Sequence, residues 1–581
     1  MQILGLSALS HDTSAALLED GVVRAAMEEG KLTRAKNTRG LPETAIQFCF
    51  KQANTDWQKL DYVAVASRPV RAWMRRSAAG AKVSPLSPVA TGFSQFSEIA
   101  RLSRELGNLR VLRHKNHAPT GKLVSYEHQL CHAGGAFYLS PFDRALIVVM
   151  DEEGDGKSGL LAIGEGNDIR ILRSISYPHS LAWLYSQITE LIGFVPRVEE
   201  HKTQWLSLEG KPEYDAVFED LLKCEGESIH VDTSYLAHGV GGRFVLSSKF
   251  YRRIGVPGKT AELSDGVKRA LAATVQQVCT KAVISVVEAL SKREGISQVC
   301  LGGGLFQNSL LVAALEQKLG LNQVFVPPAP GNAGASLGAA LLVQHSELKM
   351  PRKDLGLALY PGPSYSRHQI KDVLDNCKAR FTFQNTNDRR ADAAVQLLLS
   401  GKIVGWFQGA AEFGPRALGN RSVLASPWAP YVKENLNDFI KHREWFRPFA
   451  ISIPEEDAPQ YFDASQLCLS MSTLAQVRTE NAGLPEGFVL PGNLVRLHTV
   501  SRATNPAFWG LLKRFGKNAP APMLINTSFN LFGEPLVMSP LDAIRSYSCS
   551  GLDALIIDNF LMSKTPFQVT LPTSETAAAH V

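Results

Sequence analysis

The stretch QVCLGGGLFQNSLLVAAL, residues 298–315, combines a buried strand, a glycine turn and a helix. A second stretch of the same design follows at residues 322–343, NQVFVPPAPGNAGASLGAALLV. Strands that alternate with helices in this way predict a mostly parallel sheet. The chain is therefore predicted to have an α/β fold.

Both glycine turns have a binding interpretation and a packing interpretation. Glycine lets the backbone approach a ligand closely, and the N-terminus of the following helix favours anions. The first turn therefore offers four candidate nucleotide-binding residues, Gly302, Gly303, Gly304 and Asn308. Small residues equally serve tight helix–sheet packing, and each motif taken alone fits that alternative as well.

The residues before this stretch predict further strands and one long helix. The first 28 residues read as a hairpin with Asp20-Gly21 as its turn signal. Strand-like runs recur at residues 61–67, 144–151 and 158–164, and helical spacing of apolar residues follows from 261 to 293. The apolar stripe of that helix consists of Leu271, Val275, Val278, Ala282, Val286 and Leu290.

A metal site is predicted from two histidines and an aspartate. His128 and His132 lie four residues apart in YEHQLCHAGGAFY, so a helix would place both imidazoles on one face. Such a pair alone is more often incidental, but Asp151 closes the strand RALIVVMD, where ligand sites of α/β sheets collect. Two imidazoles and a carboxylate suit Fe²⁺, Zn²⁺ or Mn²⁺. Asp155 reads as a turn residue rather than a fourth ligand.

A basic pocket is predicted in the last third of the chain. GKIVGWFQGAAEFGPRALGNRS places Arg416 and Arg421 in a glycine-rich turn, and KHREWFRPFAIS brings Lys441, Arg443 and Arg447 within seven positions. Aromatic residues surround these bases, and the planar fork of arginine suits phosphate or carboxylate. The segment NTSFN adds polar groups at a strand end, Asn526, Ser528 and Asn530. A purely structural role for NTSFN is the alternative.

Composition limits the classes of function. The chain has 581 residues, is 45% hydrophobic and carries a net charge of only +6, which fits anionic small ligands better than nucleic acid. Its eight cysteines form no CxxC pair, so a reducing cytoplasm is expected. The apolar N-terminus reads as a strand rather than a signal peptide, and no apolar run looks long enough to span a bilayer. We therefore expect no membrane and no nucleic-acid partner.

The chain is predicted to contain two domains. Residues 351–366, rich in Pro and Gly, read as a linker between a domain at 1–350 and one at 367–570. The tail at 571–581 is predicted to be disordered. The many bases at residues 68–117 predict a solvated helical insertion, with an acceptor- or phosphate-facing surface as the alternative.

These motifs, in this order, resemble the NodU/CmcH-type O-carbamoyltransferases of nodulation-factor and antibiotic pathways. The resemblance spans nearly the whole chain, through SHDTSAALLEDGVVRAAMEE, EHQLCHAGGAFYLSPF, DEEGDGKSG, GGGLFQN, GNAGASLGAA, WFQGAAEFGPRALGNRS, KHREWFRPFA and NTSFNLFGEP. GPRALGNRS followed by NTSFN is its most specific part.

The resemblance implies an N-terminal actin-like domain of the duplicated type, followed by a YrdC-like α/β domain. The second domain would form carbamoyl adenylate from carbamoyl phosphate and ATP with Mg²⁺. The intermediate would then pass internally to the first domain, where the hydroxyl of a small-molecule acceptor attacks it. A sugar, polyketide or alkaloid alcohol would fit as acceptor, and a homodimer is one oligomeric state left open.

The resemblance also assigns roles to individual residues. Arg416, Lys441, Arg447 and Ser528 would bind carbamoyl phosphate and the ATP phosphates, with Asn526 and Asn530 beside them. Arg447 would stabilise the charge that develops during adenylation. Lys202 would join the nucleotide-binding residues of the N-terminal domain, and His128, His132 and Asp151 would hold the metal. His11 is the candidate general base, with capping of its turn beside Asp12 as the alternative.

Three departures from the family pattern lie in the N-terminal domain, and one is the atypical stretch EEHKTQWLSLEGKPEY at 199–214, although Lys202 sits there where a lysine is expected. Asn332 stands where many members carry an Asp that would be the fourth metal ligand; its amide oxygen can ligate, but without charge. The usual acidic-acidic-basic run becomes Glu28-Glu29-Gly30. Three alternatives follow: a tRNA-modifying carbamoyl-type transferase, a nucleotide-binding sensor that has lost transfer, and a sugar kinase, which would leave the basic pocket unexplained.

Overall fold

The computed structural model describes residues 1–8, 11–68, 75, 121–239, 244–260, 262–352, 358–478 and 483–566. The predicted tail lies outside these residues. So do nearly all of the basic segment and the middle of the predicted linker. The predictions made for them therefore remain predictions.

The N-terminal half contains two five-stranded sheets with the same topology. The first sheet has the order β3-β2-β1-β4-β5 and the second the order β8-β7-β6-β13-β14. In each sheet the first three strands of the chain pair antiparallel and the last two add in parallel. The strands are β1 (Gln2–Ser7), β2 (Ser14–Glu19), β3 (Val22–Glu28), β4 (Tyr62–Val65), β5 (Lys122–Ser125), β6 (Arg144–Gly154), β7 (Lys157–Glu165), β8 (Asp168–Ser176), β13 (Val299–Gly302) and β14 (Val324–Phe325). This repeat confirms the duplicated actin-like fold class.

The predicted N-terminal hairpin is confirmed at its turn. Asp20 and Gly21 both have positive φ, 49° and 84°, as a tight two-residue turn between twisted strands requires. Four short strands form two further pairs, β9 (Leu222–Glu225) with β10 (Ser228–Val231) and β11 (Leu236–His238) with β12 (Phe244–Leu246).

Helices cover and separate the two sheets. They are α1 (Glu29–Thr33), α2 (Glu43–Ala53), α3 (His128–Tyr138), α4 (Leu181–Leu191), α5 (Glu200–Leu206), α6 (Asp215–Leu221), α7 (Ser248–Arg253), α8 (Asp265–Glu294), α9 (Ser309–Leu319) and α10 (Gly334–Leu342). Helices α3 and α10 pack against each other between the sheets, in one continuous apolar core. This packing places the N-terminus of α3 beside strand β6.

The long helix α8 confirms the apolar stripe seen in the sequence. Leu271, Val275, Val286 and Leu290 are all buried in the core of the second sheet. By length and composition this helix could cross a membrane, although the sequence analysis predicted no apolar run long enough to do so. However, 67% of its most apolar window is buried inside the protein, as in a core helix.

The C-terminal domain is built on an eight-stranded mixed sheet, with the order β15-β25-β24-β16-β17-β23-β18-β22. Its strands are β15 (Thr382–Phe383), β16 (Val404–Phe407), β17 (Arg421–Ala425), β18 (Ala450–Pro454), β22 (Leu497–Val500), β23 (Leu524–Ser528), β24 (Ala554–Ile557) and β25 (Phe560–Ser563). A small sheet joins β19 (Phe462–Asp463), β20 (Ala475–Val477) and β21 (Leu494–Val495). The helices are α11 (Arg367–Asn376), α12 (Asn387–Leu399), α13 (Val432–Glu434), α14 (Pro506–Phe515) and α15 (Pro540–Ser548). Separate apolar clusters cover the two faces of the large sheet.

The two halves of the chain are in direct contact. The described part of the predicted linker runs beside the loop between β16 and β17, where Gly362 N–H donates to Ala411 O and Phe413 N–H to Leu359 O. Ala26, in β3, donates to Pro361 O in the same segment. An apolar cluster of Met27, Ala411, Ala417, Leu536 and Met538 closes this junction.

Candidate functional site

Two groups of predicted residues are brought together, and the first is the metal triad. The Nε2 atoms of His128 and His132 lie 3.0 Å apart. Asp151 Oδ2 lies 3.2 Å from the first and 3.5 Å from the second, and all three side chains are buried. Metal–ligand bonds of about 2.1 Å at tetrahedral angles separate ligand atoms by about 3.4 Å. The three donor atoms are therefore spaced as ligands of one ion.

The fold positions each of these ligands. Both histidines lie in the first two turns of α3, and Asp155 accepts the N–H of His128 at 2.8 Å, which anchors that end of the helix. Asp155 also accepts from Ser67 Oγ and from the N–H of Arg68, and it has a positive φ of 53°. Its carboxylate therefore has a structural role, as the turn interpretation predicted. Asp151 lies where β6 loses its regular pairing with β7.

Hydrogen bonds on the far side of the rings aim the Nε2 atoms at the triad. His128 Nδ1 lies 3.3 Å from Ala66 O, so Nδ1–H can donate there and leave Nε2 for an ion. Burial opposes charge on His128, but the Asp151 carboxylate prevails and raises the pKa of that imidazole to about 9, so an ion that binds Nε2 would displace a proton. Burial likewise opposes charge on Asp151, yet the two imidazoles hold its pKa well below the usual range. The carboxylate is thus anionic, as a metal ligand requires.

Asn332 and His11 lie together. Asn332 Nδ2 donates to His11 Nε2 at 3.1 Å, and His11 Nδ1 donates to Asp12 Oδ2 at 2.9 Å. Asn332 Oδ1 is buried and has no hydrogen-bond partner among the described residues. A buried carbonyl oxygen without a partner is suited to accept a ligand, because leaving it unpaired is costly.

The glycine turn contacts the triad through its backbone. Gly304 N–H donates to Asp151 Oδ1 at 3.2 Å. A Cβ at Gly303, which has φ of 96°, would lie 2.3 Å from the carbonyl oxygen of Met150. Asn308 caps helix α9 through Leu311 N–H and bonds Gln276. Gly303 and Gly304 therefore support the metal ligand Asp151 through the backbone. Asn308, by contrast, has a structural role as a helix cap.

The second glycine motif serves packing. A Cβ at Gly334 would lie 1.8 Å from Ala329 O, and one at Gly338 would lie 1.9 Å from Cys131 O in α3. Only glycine permits this closeness, so for these two positions the packing interpretation accounts for the sequence.

The second group is the basic pocket, which lies between the two domains. Lys441 is buried and donates to Ser528 O at 2.7 Å, Ser528 Oγ at 3.2 Å and Asn530 Oδ1 at 2.6 Å. Arg447 Nη1 lies 3.5 Å from Glu444 Oε2. Arg416 donates to Gln307 O, in the glycine turn of the N-terminal domain, at 3.0 Å. Five of the six residues assigned to this pocket are thus gathered at the domain boundary.

Lys202 reaches the same pocket from the N-terminal domain. Its ammonium lies 2.7 Å from Glu199 and 2.6 Å from Glu444 of the other domain. It also lies over the ring of Phe194, 5.3 Å from the centroid. The residue predicted for the N-terminal nucleotide site therefore faces the C-terminal pocket.

Sequence reasoning missed several members of the pocket. The missed members are Lys36, His201 and Arg496, whose positive charges the nearby Arg447 disfavours. Arg443, already among the predicted bases, also lies beside Arg447, with its guanidinium 4.0 Å from the ring centre of Phe449. Arg443 was visible in the KHREWFRP motif. No motif marks the other three, because they come from distant parts of the chain.

Burial and crowding disfavour charge throughout the pocket. Burial and the neighbouring Arg443 and Arg447 lower the pKa of Lys441 well below its usual value. Burial and Arg447 lower the pKa of Arg416 to about 10 and that of Arg443 to about 9. Crowded buried cations are costly without counter-ions, so the pocket is suited to a polyanion.

Two polar residues from the predicted motifs, Asn526 and Arg421, form their hydrogen bonds away from Lys441. The carboxamide of Asn526 is buried and donates to Ala417 O at 3.2 Å and Ser452 Oγ at 3.1 Å, so the structure does not bring it to Lys441. Strand β23 runs through Asn526 to Ser528 rather than stopping before them. Arg421 is fully buried and its guanidinium donates to the carbonyls of Gln408, Asn420, Pro363 and Gly409. The hydrogen bonds of Asn526 and Arg421 therefore connect segments of the C-terminal domain.

Comparisons with known proteins cover most of the chain. The family models "Carbamoyltransferase N-terminus" and "Carbamoyltransferase C-terminus" match residues 2–341 and 395–564. An uncharacterized protein of Synechocystis sp. is 32% identical over 600 residues, which cover 97% of each chain. The nodulation protein NolNO of Sinorhizobium fredii is 31% identical and is matched over 95% of this chain and 79% of its own. A solved structure of full-length HypF in its phosphate- and nucleotide-bound form aligns with a TM-score of 0.30 at 14% identity, over 59% of this chain and 56% of that one.

Proposed function

Because the chain belongs to the carbamoyltransferase family, whose models match both of its domains, we propose an ATP-dependent O-carbamoyltransferase that acts on a small-molecule hydroxyl. Family membership makes it a carbamoyltransferase enzyme. The use of ATP and carbamoyl phosphate, the division of labour between domains and the acceptor class are our proposal.

The observation that carries the proposal is the charge of the pocket between the domains. Among the residues that the structure describes, seven basic side chains face two carboxylates there, those of Glu199 and Glu444. The cations are Lys36, Lys202, Arg416, Lys441, Arg443, Arg447 and Arg496. Such an excess of positive charge suits ATP together with carbamoyl phosphate, and arginine forks bind phosphate oxygens in pairs.

In the proposed first step, water releases phosphate from carbamoyl phosphate and leaves carbamate. A carbamate oxygen then attacks the α-phosphorus of ATP, the bond from that phosphorus to the bridging oxygen breaks, and pyrophosphate leaves. Lys441 and Arg416 would bind phosphate oxygens, and Arg447 would stabilise the charge that develops at the α-phosphate. Mg²⁺ bound with ATP would neutralise part of the triphosphate charge. The product is carbamoyl adenylate, an activated form of a poor electrophile.

In the proposed second step, the acceptor oxygen attacks the carbamoyl carbon in the N-terminal domain. The bond from that carbon to the adenylate oxygen breaks, AMP leaves, and the hydroxyl proton goes to a base. His11 is suited to this role, since donation of Nδ1–H to Asp12 makes Nε2 the proton-accepting nitrogen, a position now occupied by Asn332 Nδ2–H that the acceptor hydroxyl would take over. Enclosure between the domains would limit hydrolysis of the intermediate.

His128, His132 and Asp151 would hold a divalent transition metal, and Asn332 Oδ1 is a candidate fourth donor. The two histidines and the aspartate fit such an ion by spacing, burial and chemistry, and Asn332 Oδ1 is buried without a hydrogen-bond partner among the described residues. When bound, the metal would supply positive charge to the phosphate of the adenylate.

The test needs no acceptor. Protein, ATP, Mg²⁺ and carbamoyl phosphate are mixed, and AMP and pyrophosphate are assayed. We expect both products only when carbamoyl phosphate is present, and loss of both in Arg447→Ala. Arg478→Ala, which removes an exposed arginine of the same domain paired with Asp463, is the matched control and should behave as wild type. Wild-type protein that binds ATP but gives neither product would overturn the mechanism.

A nucleotide-binding protein that has lost transfer is the second candidate, favoured by Asn332 in the place of an acidic ligand. It predicts intact ATP binding with no turnover on any hydroxyl compound. Formation of AMP that speeds up when an acceptor is added would exclude it.

A further inference from the structure

We propose, on the basis of the function proposed above, that residues 28–36 of the N-terminal domain clamp two loops of the adenylate-forming pocket. Lys31 and Arg34 would then be positioning residues for a reaction carried out mainly by the other domain. The two loops are the 412–416 loop, which bears Arg416, and the 530–536 loop, which bears Asn530.

The first loop is held through its backbone. Lys31 Nζ donates to Gly414 O at 2.6 Å and to Glu412 O at 3.0 Å. Glu28 Oε1 accepts Gly414 N–H at 2.9 Å and pairs with Lys31 Nζ, also at 2.9 Å. The side chains of Glu28 and Lys31 are each only 12% exposed, so solvent competes little with these bonds. One ion pair of the N-terminal domain thus fixes three backbone groups of the loop.

Arg416 has little freedom once those groups are fixed. Gly414 has φ of 107°, and a Cβ there would lie 2.5 Å from Pro328 O, so the loop is tight against the N-terminal domain. On the other side of Arg416, Glu412 Oε1 accepts the N–H groups of Leu418, Asn420 and Arg421. Arg416 is therefore anchored on both sides.

The second loop is held by Arg34. Its guanidinium donates to Glu534 Oε2 at 2.9 Å and to Leu536 O at 2.5 Å. Glu534 O accepts Asn530 Nδ2–H at 2.7 Å, and Asn530 Oδ1 accepts from Lys441. A short chain of bonds therefore runs from Arg34 to the buried lysine of the pocket.

The position of Gly30 gives the sequence departure at Glu28-Glu29-Gly30 a physical reason. A Cβ at Gly30 would lie 2.3 Å from Ala35 O, so glycine lets the segment close on itself. The segment then leads to Lys36, whose positive charge and those of the nearby Arg447 and Lys441 repel one another. This departure thus belongs to the adenylating pocket, although it lies in the acceptor domain.

Double-mutant cycles on the full chain test the clamp, with AMP formation as the readout. We expect Lys31→Met to lower kcat/KM by about 10- to 100-fold, the scale of an ångström-size misplacement. In an Arg416→Ala background the same change should cost less than about twofold, because Lys31 acts through that loop. Arg34→Met should likewise lower kcat/KM in the wild-type background and cost less than about twofold in the Asn530→Ala background.

Combining each substitution with a change in the loop that it does not contact separates a positioning role from a general loss of stability. Lys31→Met should remain fully costly in the Asn530→Ala background, since the two lie on different loops. A structural role would reduce activity alike in every background. Arg24→Met, which removes an exposed pair with Glu19 in the same hairpin, is the matched control. Should Lys31→Met fail to fold, Glu28→Gln removes the same anchor more gently.

The outcomes distinguish the two proposals. Wild-type protein without AMP formation would overturn the proposed function. Active wild type in which Lys31→Met and Arg416→Ala are additive would overturn the clamp alone.

Discussion

The ammonium of Lys202 lies 2.6 Å from Glu444, and this ion pair joins the two domains within the basic pocket. The same carboxylate lies 3.5 Å from Arg447, through its other oxygen. Glu444 thus neutralises a cation from each domain at the place where phosphate is proposed to bind. An incoming phosphate would compete with this carboxylate for both cations.

Glu444→Gln is therefore expected to tighten the binding of phosphate anions. Loss of one negative charge close to the buried Lys202 and the partly exposed Arg447 should raise the affinity for inorganic pyrophosphate by about tenfold, or about 1.4 kcal/mol. Titration calorimetry of the pure protein measures this directly. Glu456→Gln removes a half-exposed carboxylate paired with Lys513 and serves as the control. Unchanged or weaker affinity in Glu444→Gln would contradict the competition.

Asn332→Asp is expected to strengthen metal binding at the triad. A carboxylate in place of the unpartnered amide oxygen adds a charged donor, so the dissociation constant for Mn²⁺ should fall by at least about tenfold. His132→Ala should abolish binding, whereas His368→Ala, in an exposed histidine of the C-terminal domain, should leave it unchanged. Equilibrium dialysis with metal analysis gives the constants. Equal affinity in wild type and Asn332→Asp would show that residue 332 does not face the ion.

Local patterns in the sequence predicted the parts of the site that lie on single elements. The spacing of His128 and His132 placed both on one face of α3, and the polar end of β23 brought Ser528 to Lys441. Asn526 lies inside strand β23 and its Nδ2 donates within the domain, whereas its Oδ1 has no hydrogen-bond partner among the described residues, so its binding role stays a prediction.

Residues that join through tertiary contacts left no local signal. Arg496 and His201 lie about 300 positions apart, and only the docking of the domains makes them neighbours. The glycines at 334 and 338 were ambiguous for the same reason. Whether they face a ligand or a helix depends on the partner that packs there, here α3 and the loop before α10.

Gly303→Ala is expected to disturb the triad through the backbone. The new Cβ would lie 2.3 Å from Met150 O, next to Asp151, and the positive φ adds strain of about 1–3 kcal/mol. We expect a lower free energy of unfolding and weaker Mn²⁺ binding. Gly255→Ala is also at a positive φ, 75°, but has open space around the Cβ, so it should cost only the strain and leave metal binding intact. Equal effects of the two substitutions would contradict a steric role for Gly303.

His498 is expected to make the C-terminal domain sensitive to acid. Burial lowers the pKa of this imidazole to about 3, and its Nδ1 accepts from Ser452 Oγ at 2.9 Å. Between pH 6.5 and pH 3 the unfolded chain binds a proton at this position that the folded chain does not bind. Stability should therefore fall as the pH falls through this window, with a slope that approaches about 1.4 kcal/mol per pH unit.

Urea unfolding of wild type and His498→Gln at several pH values isolates the contribution as the difference between the two slopes. His368→Gln, in an exposed histidine, should leave the wild-type slope unchanged. Parallel profiles for wild type and His498→Gln would mean that the buried ring takes up its proton without unfolding, and that other groups set the acid limit.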